Sequence, residues 1–91
     1  MNLIYDDVTL DHFRAACTDL DLLVLVERLV AREKARDLWH LTAIVIGEPY
    51  LELLGLDEEP EWAWRHDLGA WVELGLPAGN EGFAWLVLLP R

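Results

Sequence analysis

The spacing of apolar residues between Asp19 and Arg36 constrains the fold more than any other feature of the sequence. Apolar side chains recur there every three or four residues, which places them on one face of a helix. Thr18 to Asp21 resembles a capping box, in the loose form Ser/Thr-x-x-Asp/Glu, just ahead of this run. The sequence therefore predicts a helix over residues 19–36 that buries one wide face: Leu22, Leu25, Val26, Leu29 and Val30.

The residues before this helix predict a short strand and a first helix. Residues 2–5 favour the strand. We expect Thr9 to cap the following helix, because its hydroxyl can accept a backbone N–H. That helix should carry Leu10, Phe13 and Ala16 inward and end near Cys17.

Residues 38–46 are ambiguous. Thr42 and Ile44 to Ile46 favour a strand, whereas Leu38, Trp39 and Leu41 suit a short helix, with the strand slightly preferred. Gly47 should end this element. Pro49 then suits the first turn of a helix through Leu54 that ends at Gly55.

The last thirty residues predict a β-meander. Three apolar runs, at residues 61–65, 70–76 and 83–89, are separated by turn signals at residues 66–69 and 77–82. With the helices before them, these strands predict one α+β domain over residues 1–91: N-terminal helices packed on a C-terminal antiparallel sheet.

A face of this sheet carries most of the predicted binding residues. If Arg65 pairs with Ala70, side-chain alternation puts four residues on one face, which we call the Trp face. This face is either part of the core or a contact surface, since Trp serves both roles. Its members are Trp62, Trp64, Trp71 and Glu73.

Pairing of Leu76 with Phe83 would extend the Trp face with Leu86 and Leu88. The opposite face would carry Val72, Leu74, Val87 and other apolar residues, with no charge in its middle. We therefore expect the helices to cover this opposite face, because a charged side chain is costly to bury.

The charge balance narrows the class of partner. The chain has 17 acidic residues against 7 Lys and Arg, a net charge of −10. This disfavours direct binding to nucleic acid or to an anionic membrane and favours a protein partner with a basic surface. Three acids, Glu58, Glu59 and Glu61, lie directly before Trp62 and Trp64 in the sequence. These acids would steer the encounter with a partner, and Trp would anchor it. The alternatives are that the acids form a solvated loop or only keep the protein soluble.

The helix over residues 19–36 also carries a basic stripe, formed by Arg28, Arg32 and Arg36 at intervals of four residues. We interpret this stripe as structural. Its cations complement the negative end of the helix dipole, and they can pair locally with Glu33 and Asp37.

Residues for catalysis or metal binding are not evident. The chain has no Ser, which excludes a Ser-His-Asp hydrolase, and its single cysteine cannot form an intrachain disulfide. Cys17 with His12 or His40 lacks any nucleophile signature, so an inert buried thiol is favoured, and the histidines lack metal-ligand spacing. We expect no enzyme activity, no cofactor and no metal site. With no apolar run of membrane-spanning length, we expect a cytoplasmic protein.

Composition leaves two functional hypotheses. Hydrophobic residues make up 54% of the chain, more than so small a domain readily hides. One hypothesis is an acidic inhibitor or adaptor, by analogy of size and charge with phage anti-defence (anti-CRISPR-like) proteins, antitoxins and immunity proteins. The alternative is a homo-oligomer, such as a homodimer, or an accessory subunit of a larger enzyme.

Overall fold

A computed structural model describes residues 3–47, 64–68, 70–76 and 84–90, with the backbone alone for residues 64–68 and for Leu76. These ranges contain two helices, a short 3₁₀ turn and a five-stranded sheet. The helix expected from Pro49 and the acidic residues ahead of Trp62 lie outside the described residues. Within the described ranges, neither helix has the length and apolar character needed to cross a membrane.

Helix α1 spans Asp7–Ala16 and follows the two-residue strand β1, Leu3–Ile4. Its N-cap is Asp6, so the prediction that Thr9 caps this helix is wrong. Thr9 instead completes a capping box: its N–H donates to Asp6 Oδ1 at 2.8 Å, and its hydroxyl accepts from the Asp6 N–H at 3.1 Å. Leu10 and Phe13 are buried as predicted, whereas Ala16 is exposed.

Helix α2 spans Leu20–Ala35 and confirms the strongest expectation from the sequence. Asp19 is its N-cap and accepts the Leu22 N–H at 3.1 Å. All five residues of the predicted apolar face are buried, and Glu33, one turn beyond Leu29, is buried with them.

The ambiguous segment contains both predicted structures in succession. Trp39–Leu41 form the 3₁₀ turn, and strand β2 follows over Thr42–Ile46 with all five residues buried. Gly47 then adopts a positive φ of 107°, which glycine tolerates because it lacks a Cβ. Its N–H donates to the Leu88 carbonyl at 2.9 Å.

The sheet has the strand order β1-β2-β5-β4-β3, where β3 is Trp64–Leu68, β4 is Trp71–Leu76 and β5 is Ala84–Pro90. Strands β3, β4 and β5 follow one another antiparallel, as predicted. Strand β2, however, pairs with β5 in parallel, and β1 pairs antiparallel with β2. The α+β class is confirmed, but the sheet is mixed and not a simple antiparallel meander.

The pairing register differs from the expected one. Leu68 pairs with Trp71, so residues 69 and 70 connect β3 to β4, and Trp64 lies opposite Gly75 instead of Trp71. Leu76 pairs with Trp85 instead of Phe83. Both displacements are even numbers of residues, and an even displacement leaves each side chain on the same face. The predicted division of residues between the two faces therefore survives.

The helices cover the opposite face from the one we expected. The main core joins α1 and α2 to β-strand residues Ile44, Ile46, Leu86 and Leu88, with Trp71 packed at its margin. That side of the sheet is the predicted Trp face. A second cluster on the other side is built around Val45, Leu74 and Val87. The expectation failed because it treated Glu73 as an obstacle to burial, whereas α2 supplies a cation for it.

Candidate functional site

Three of the seven predicted binding residues, Trp64, Trp71 and Glu73, lie within the described residues. Glu58, Glu59, Glu61 and Trp62 lie outside the described residues. Trp64 begins β3, the last strand of the described sheet, and its position is known from the backbone. Trp71 and Glu73 lie on the neighbouring strand β4, where Trp71 contacts Asp19 and Glu73 contacts Arg32.

Glu73 is completely buried beneath helix α2. Its Oε1 accepts a hydrogen bond from Arg32 Nη2 at 3.0 Å. A residue with no exposed surface cannot contact a partner while the domain keeps this structure. The expectation that Glu73 belongs to a binding surface is therefore not supported by its position.

Arg32 joins two acidic residues at the helix–sheet interface, which together form a buried charge cluster of Arg32, Glu33 and Glu73. Glu33 is almost fully buried, and its Oε1 lies 3.2 Å from Arg32 Nε and 3.1 Å from Nη2. Arg36 approaches the same Glu33 oxygen at 3.7 Å from the helix end. The half-buried Arg32 guanidinium thus contacts both buried carboxylates, and a second cation, Arg36, lies near one of them.

The signal for this cluster is present in the sequence although we did not use it. Glu33 continues the helical spacing of Val26 and Leu29, at a position where the pattern calls for an apolar residue. Glu73 likewise interrupts an apolar strand. A charge at an apolar position predicts a buried partner of opposite sign, because an unpaired buried charge is strongly unfavourable.

Trp71 links strand β4 to the start of α2. Its indole Nε1 donates to Asp19 Oδ2 at 3.0 Å, and its side chain is half-buried against the core. The hydrogen bond from the Leu22 N–H, followed by that from Trp71, lowers the pKa of Asp19 below its ordinary value. Since Arg32 also reaches Glu73, both halves of α2 are bonded to the same strand.

The hydrogen bonds to the Asp19 carboxylate predict that its contribution to stability depends on pH. A carboxyl group whose pKa is lower in the folded state stabilises the fold above its unfolded pKa, about 3.9 for Asp, and this contribution is lost as pH falls through the folded pKa. Replacing Asp19 by Asn should therefore lower Tm at pH 7, while the difference from wild type shrinks below pH about 4. Thermal melts followed by circular dichroism, at pH 7 and again below pH about 4, check this prediction. A constant difference in Tm would contradict the role of the carboxylate charge.

Ion pairs on the helix surfaces are exposed. Arg14 pairs with Glu27 and with Asp11, and the bond from Arg14 is the largest cause of a lowered Glu27 pKa. Lys34 lies 3.2 Å from Asp7. Such exposed pairs contribute on the order of 0–1 kcal/mol each because water screens them.

The three arginines of the basic stripe have different environments. Arg36 contacts Glu33, as expected, and Arg28 is exposed and forms no ion pair with another described residue. Asp37 likewise has no ion pair within the described ranges. Arg32 differs from both because it contacts Glu33 and Glu73 in the buried charge cluster, so its removal should destabilise the domain.

The described side chains considered for catalysis are Cys17, His12 and His40. Cys17 is half-buried at the end of α1, not fully buried as expected, and its Sγ–H donates to the Asp19 carbonyl at 3.3 Å. His12 and His40 are both exposed. The described part of the chain contains no group of three or more side chains arranged to hold a metal ion.

Comparison with known proteins gives no relative for this chain. No family model matches it, and neither a curated protein nor a solved structure is significantly similar to it.

Proposed function

We propose that this chain is a small acidic protein-binding module that acts as an inhibitor or adaptor by occupying a basic surface on a protein partner. The distribution of charge is the observation that carries this proposal. Residues 48–63 contain six acidic residues and no Lys, Arg or His. More than half of the net charge of −10 is therefore concentrated in a segment of 16 residues.

The two described helices carry much less net charge than residues 48–63. Helix α2 contains three acidic and three basic residues, and α1 has one acid in excess. Neither helix offers a strongly negative surface. Salt screens charges that are farther apart than a Debye length, ~8–10 Å, so a basic partner is attracted mainly by the acids nearest to it. We therefore expect the attraction to be strongest toward residues 48–63.

The aromatic part of the predicted site lies beside this acidic segment. Trp62 is within two residues of Glu61 and Trp64, and Trp64 starts β3, the last strand of the described sheet. Trp71 and Glu73 bond to Asp19 and Arg32, so they are left out of the proposed contact. Trp64 shares their face but lies on β3, one strand farther from the core strands β2 and β5. We therefore place the partner contact on Glu58, Glu59, Glu61, Trp62 and Trp64. The acids would accelerate encounter, and a Trp would supply the buried anchor.

The proposed partner is a cytoplasmic protein whose basic surface ordinarily holds nucleic acid. An acidic domain of this size can compete for such a surface by presenting negative charge, without any catalytic group. Anti-defence proteins, antitoxins and immunity proteins work as inhibitors of this general kind, and we propose the same mode of action here.

The proposal is tested with two variants of equal charge. Immobilised wild-type protein is exposed to lysate at low and high salt, and the captured protein is used for surface plasmon resonance. The triple change of Glu58, Glu59 and Glu61 to Gln should slow association and weaken its salt dependence, because rim charges act mainly on encounter. The control changes three exposed acids elsewhere, Asp7, Asp11 and Asp37, to Asn.

Trp64→Ala should instead accelerate dissociation, by roughly thirtyfold or more if Trp64 is an anchor worth ~2 kcal/mol. Capture of no salt-sensitive partner would count against the proposed function. Equal slowing by the two triple variants would show that net charge, and not the acidic segment, governs encounter.

A further inference from the structure

The outer face of helix α2 carries apolar side chains that the domain does not bury. Leu20 is 74% exposed and Val24 is 59% exposed, although both are large and apolar. Ala31 and Ala35 are also exposed. Steps of four, seven and four residues place all four side chains on one stripe, on the side of α2 away from the core.

This stripe belongs to an element with no net charge. Helix α2 carries three acids and three bases, in a chain whose net charge is −10. Two copies of so acidic a chain repel each other over most of their surface. The repulsion is small where α2 faces α2, because this helix has no net charge, so charge and apolar exposure favour the same surface for self-association.

The order of charges along α2 fixes the relative direction of two such helices. Asp21 lies in the first turn, whereas Arg28 and Lys34 lie in the second half of the helix. An antiparallel pair brings the first half of each helix against the second half of the other. Asp21 of each copy then approaches Arg28 of the second copy, and opposite charges meet twice about a two-fold axis.

The apolar side chains are complementary in the same arrangement. Leu20 and Val24 occupy the first half of the stripe, and Ala31 and Ala35 occupy the second. With Val24 level with Arg28 of the second copy, Leu20 lies between Ala31 and Ala35 of that copy, so a large side chain packs against small ones and the helices can approach closely. A parallel pair would instead oppose Leu20 to Leu20 and Arg28 to Arg28.

We propose that a second copy of this chain docks on α2 through an antiparallel, two-fold symmetric contact centred on Val24 and Arg28. This contact is separate from the proposed partner surface and does not depend on it. A helix of 16 residues is about 24 Å long, so one helix pair makes an interface below the standard size. The dimer should therefore be weak, with a Kd of about 1 to 100 μM.

Sedimentation equilibrium of the full chain at about 5 to 200 μM tests this contact. Val24→Lys should weaken the dimer by roughly thirtyfold or more, because it removes an apolar contact and places a like charge beside Arg28 of the second copy, twice about the axis. Val8→Lys is the matched control: Val8 lies on α1, is 61% exposed and should leave the dimer unchanged. Wild type that stays monomeric throughout, or equal effects of the two variants, would overturn the proposal.

A charge exchange tests the direction of the helices. Asp21→Arg and Arg28→Asp alone should each weaken the dimer roughly two- to thirtyfold, the range for two exposed ion pairs. The double variant restores opposite charges across the axis and should return the Kd to within about threefold of wild type. A double variant no better than either single variant would exclude the antiparallel arrangement. Thermal melts of each variant, showing a cooperative transition, confirm that the monomer remains folded.

Discussion

Replacing Arg32 by Met should destabilise the domain by about 3–5 kcal/mol, because it leaves Glu33 and Glu73 buried without the guanidinium that both contact. Met retains much of the aliphatic stem, so the loss reports the charge more than the packing. Urea denaturation at pH 7, followed by circular dichroism, measures the free energy of unfolding. Arg28→Met on the same helix is the control: Arg28 is exposed, and its replacement should change stability by no more than about 0.5 kcal/mol.

A second variant separates the charge cluster from other effects of the substitution. When Glu73→Leu is added to Arg32→Met, the buried carboxylate that lost its contact with Arg32 is removed, and an apolar side chain fills its place under α2. The double variant should therefore be more stable than Arg32→Met alone, with a coupling energy in the range of about 0.5–3 kcal/mol. Purely additive losses would contradict a direct interaction between the two side chains.

Leu29→Ala should cost about 2–5 kcal/mol, since Leu29 is only 1% exposed and is surrounded by the main core. The cost combines the lost transfer of the side chain from water with the cavity that remains. Leu20→Ala provides the control within the same helix, because Leu20 is exposed and alanine favours helices. Its effect in the same urea titration should stay within about 0.5 kcal/mol.

A small loss for Leu29→Ala would show that the core can collapse around the shortened side chain. A large loss for Leu20→Ala would have a different meaning, because Leu20 is exposed in the single chain. It would indicate that the stability measured at that concentration includes burial of the α2 stripe against a second copy. Repeating the titration at a tenfold lower protein concentration separates these two explanations.

The sequence by itself determined the elements that depend on local periodicity. Helix α2 and its buried face follow from the spacing of Leu22, Val26 and Leu29, because 3.6 residues per turn place them together. The membership of the two sheet faces also followed from the sequence. Side chains alternate along a strand, and the register errors of four and two residues were even, so none of the described strand residues changed face.

The sequence did not fix an element boundary where two residues or turns could each form it. Asp6 and Thr9 can each cap α1, and the structure uses both in one capping box, with the helix starting at Asp7. The β3–β4 connection is a similar case. The two residues after Leu68 make a shorter loop than the four-residue turn we predicted, and short loops that contain Gly are favoured in hairpins.

The candidate site was predicted only in part, because residue type does not specify what lies above a sheet. Trp71 and Glu73 were placed on the correct face, but that face is covered by α2. The place of Glu73 in an apolar strand predicts a buried cation, but only the fold identifies that cation as Arg32, which lies 41 residues away in sequence and 3.0 Å away in space. Pairing over such a distance depends on the docking of helix on sheet, and no local pattern records it.

The parallel pairing of β2 with β5 was likewise decided by tertiary structure alone. Thr42–Ile46 has the composition of a buried strand, and this composition suits a parallel and an antiparallel neighbour equally. The choice depends on the route of the chain and on which sheet face each helix covers. With α1 and α2 on the Trp71 side, Ile44 and Ile46 join Leu86 and Leu88 in the main core, and β2 completes that face beside β5.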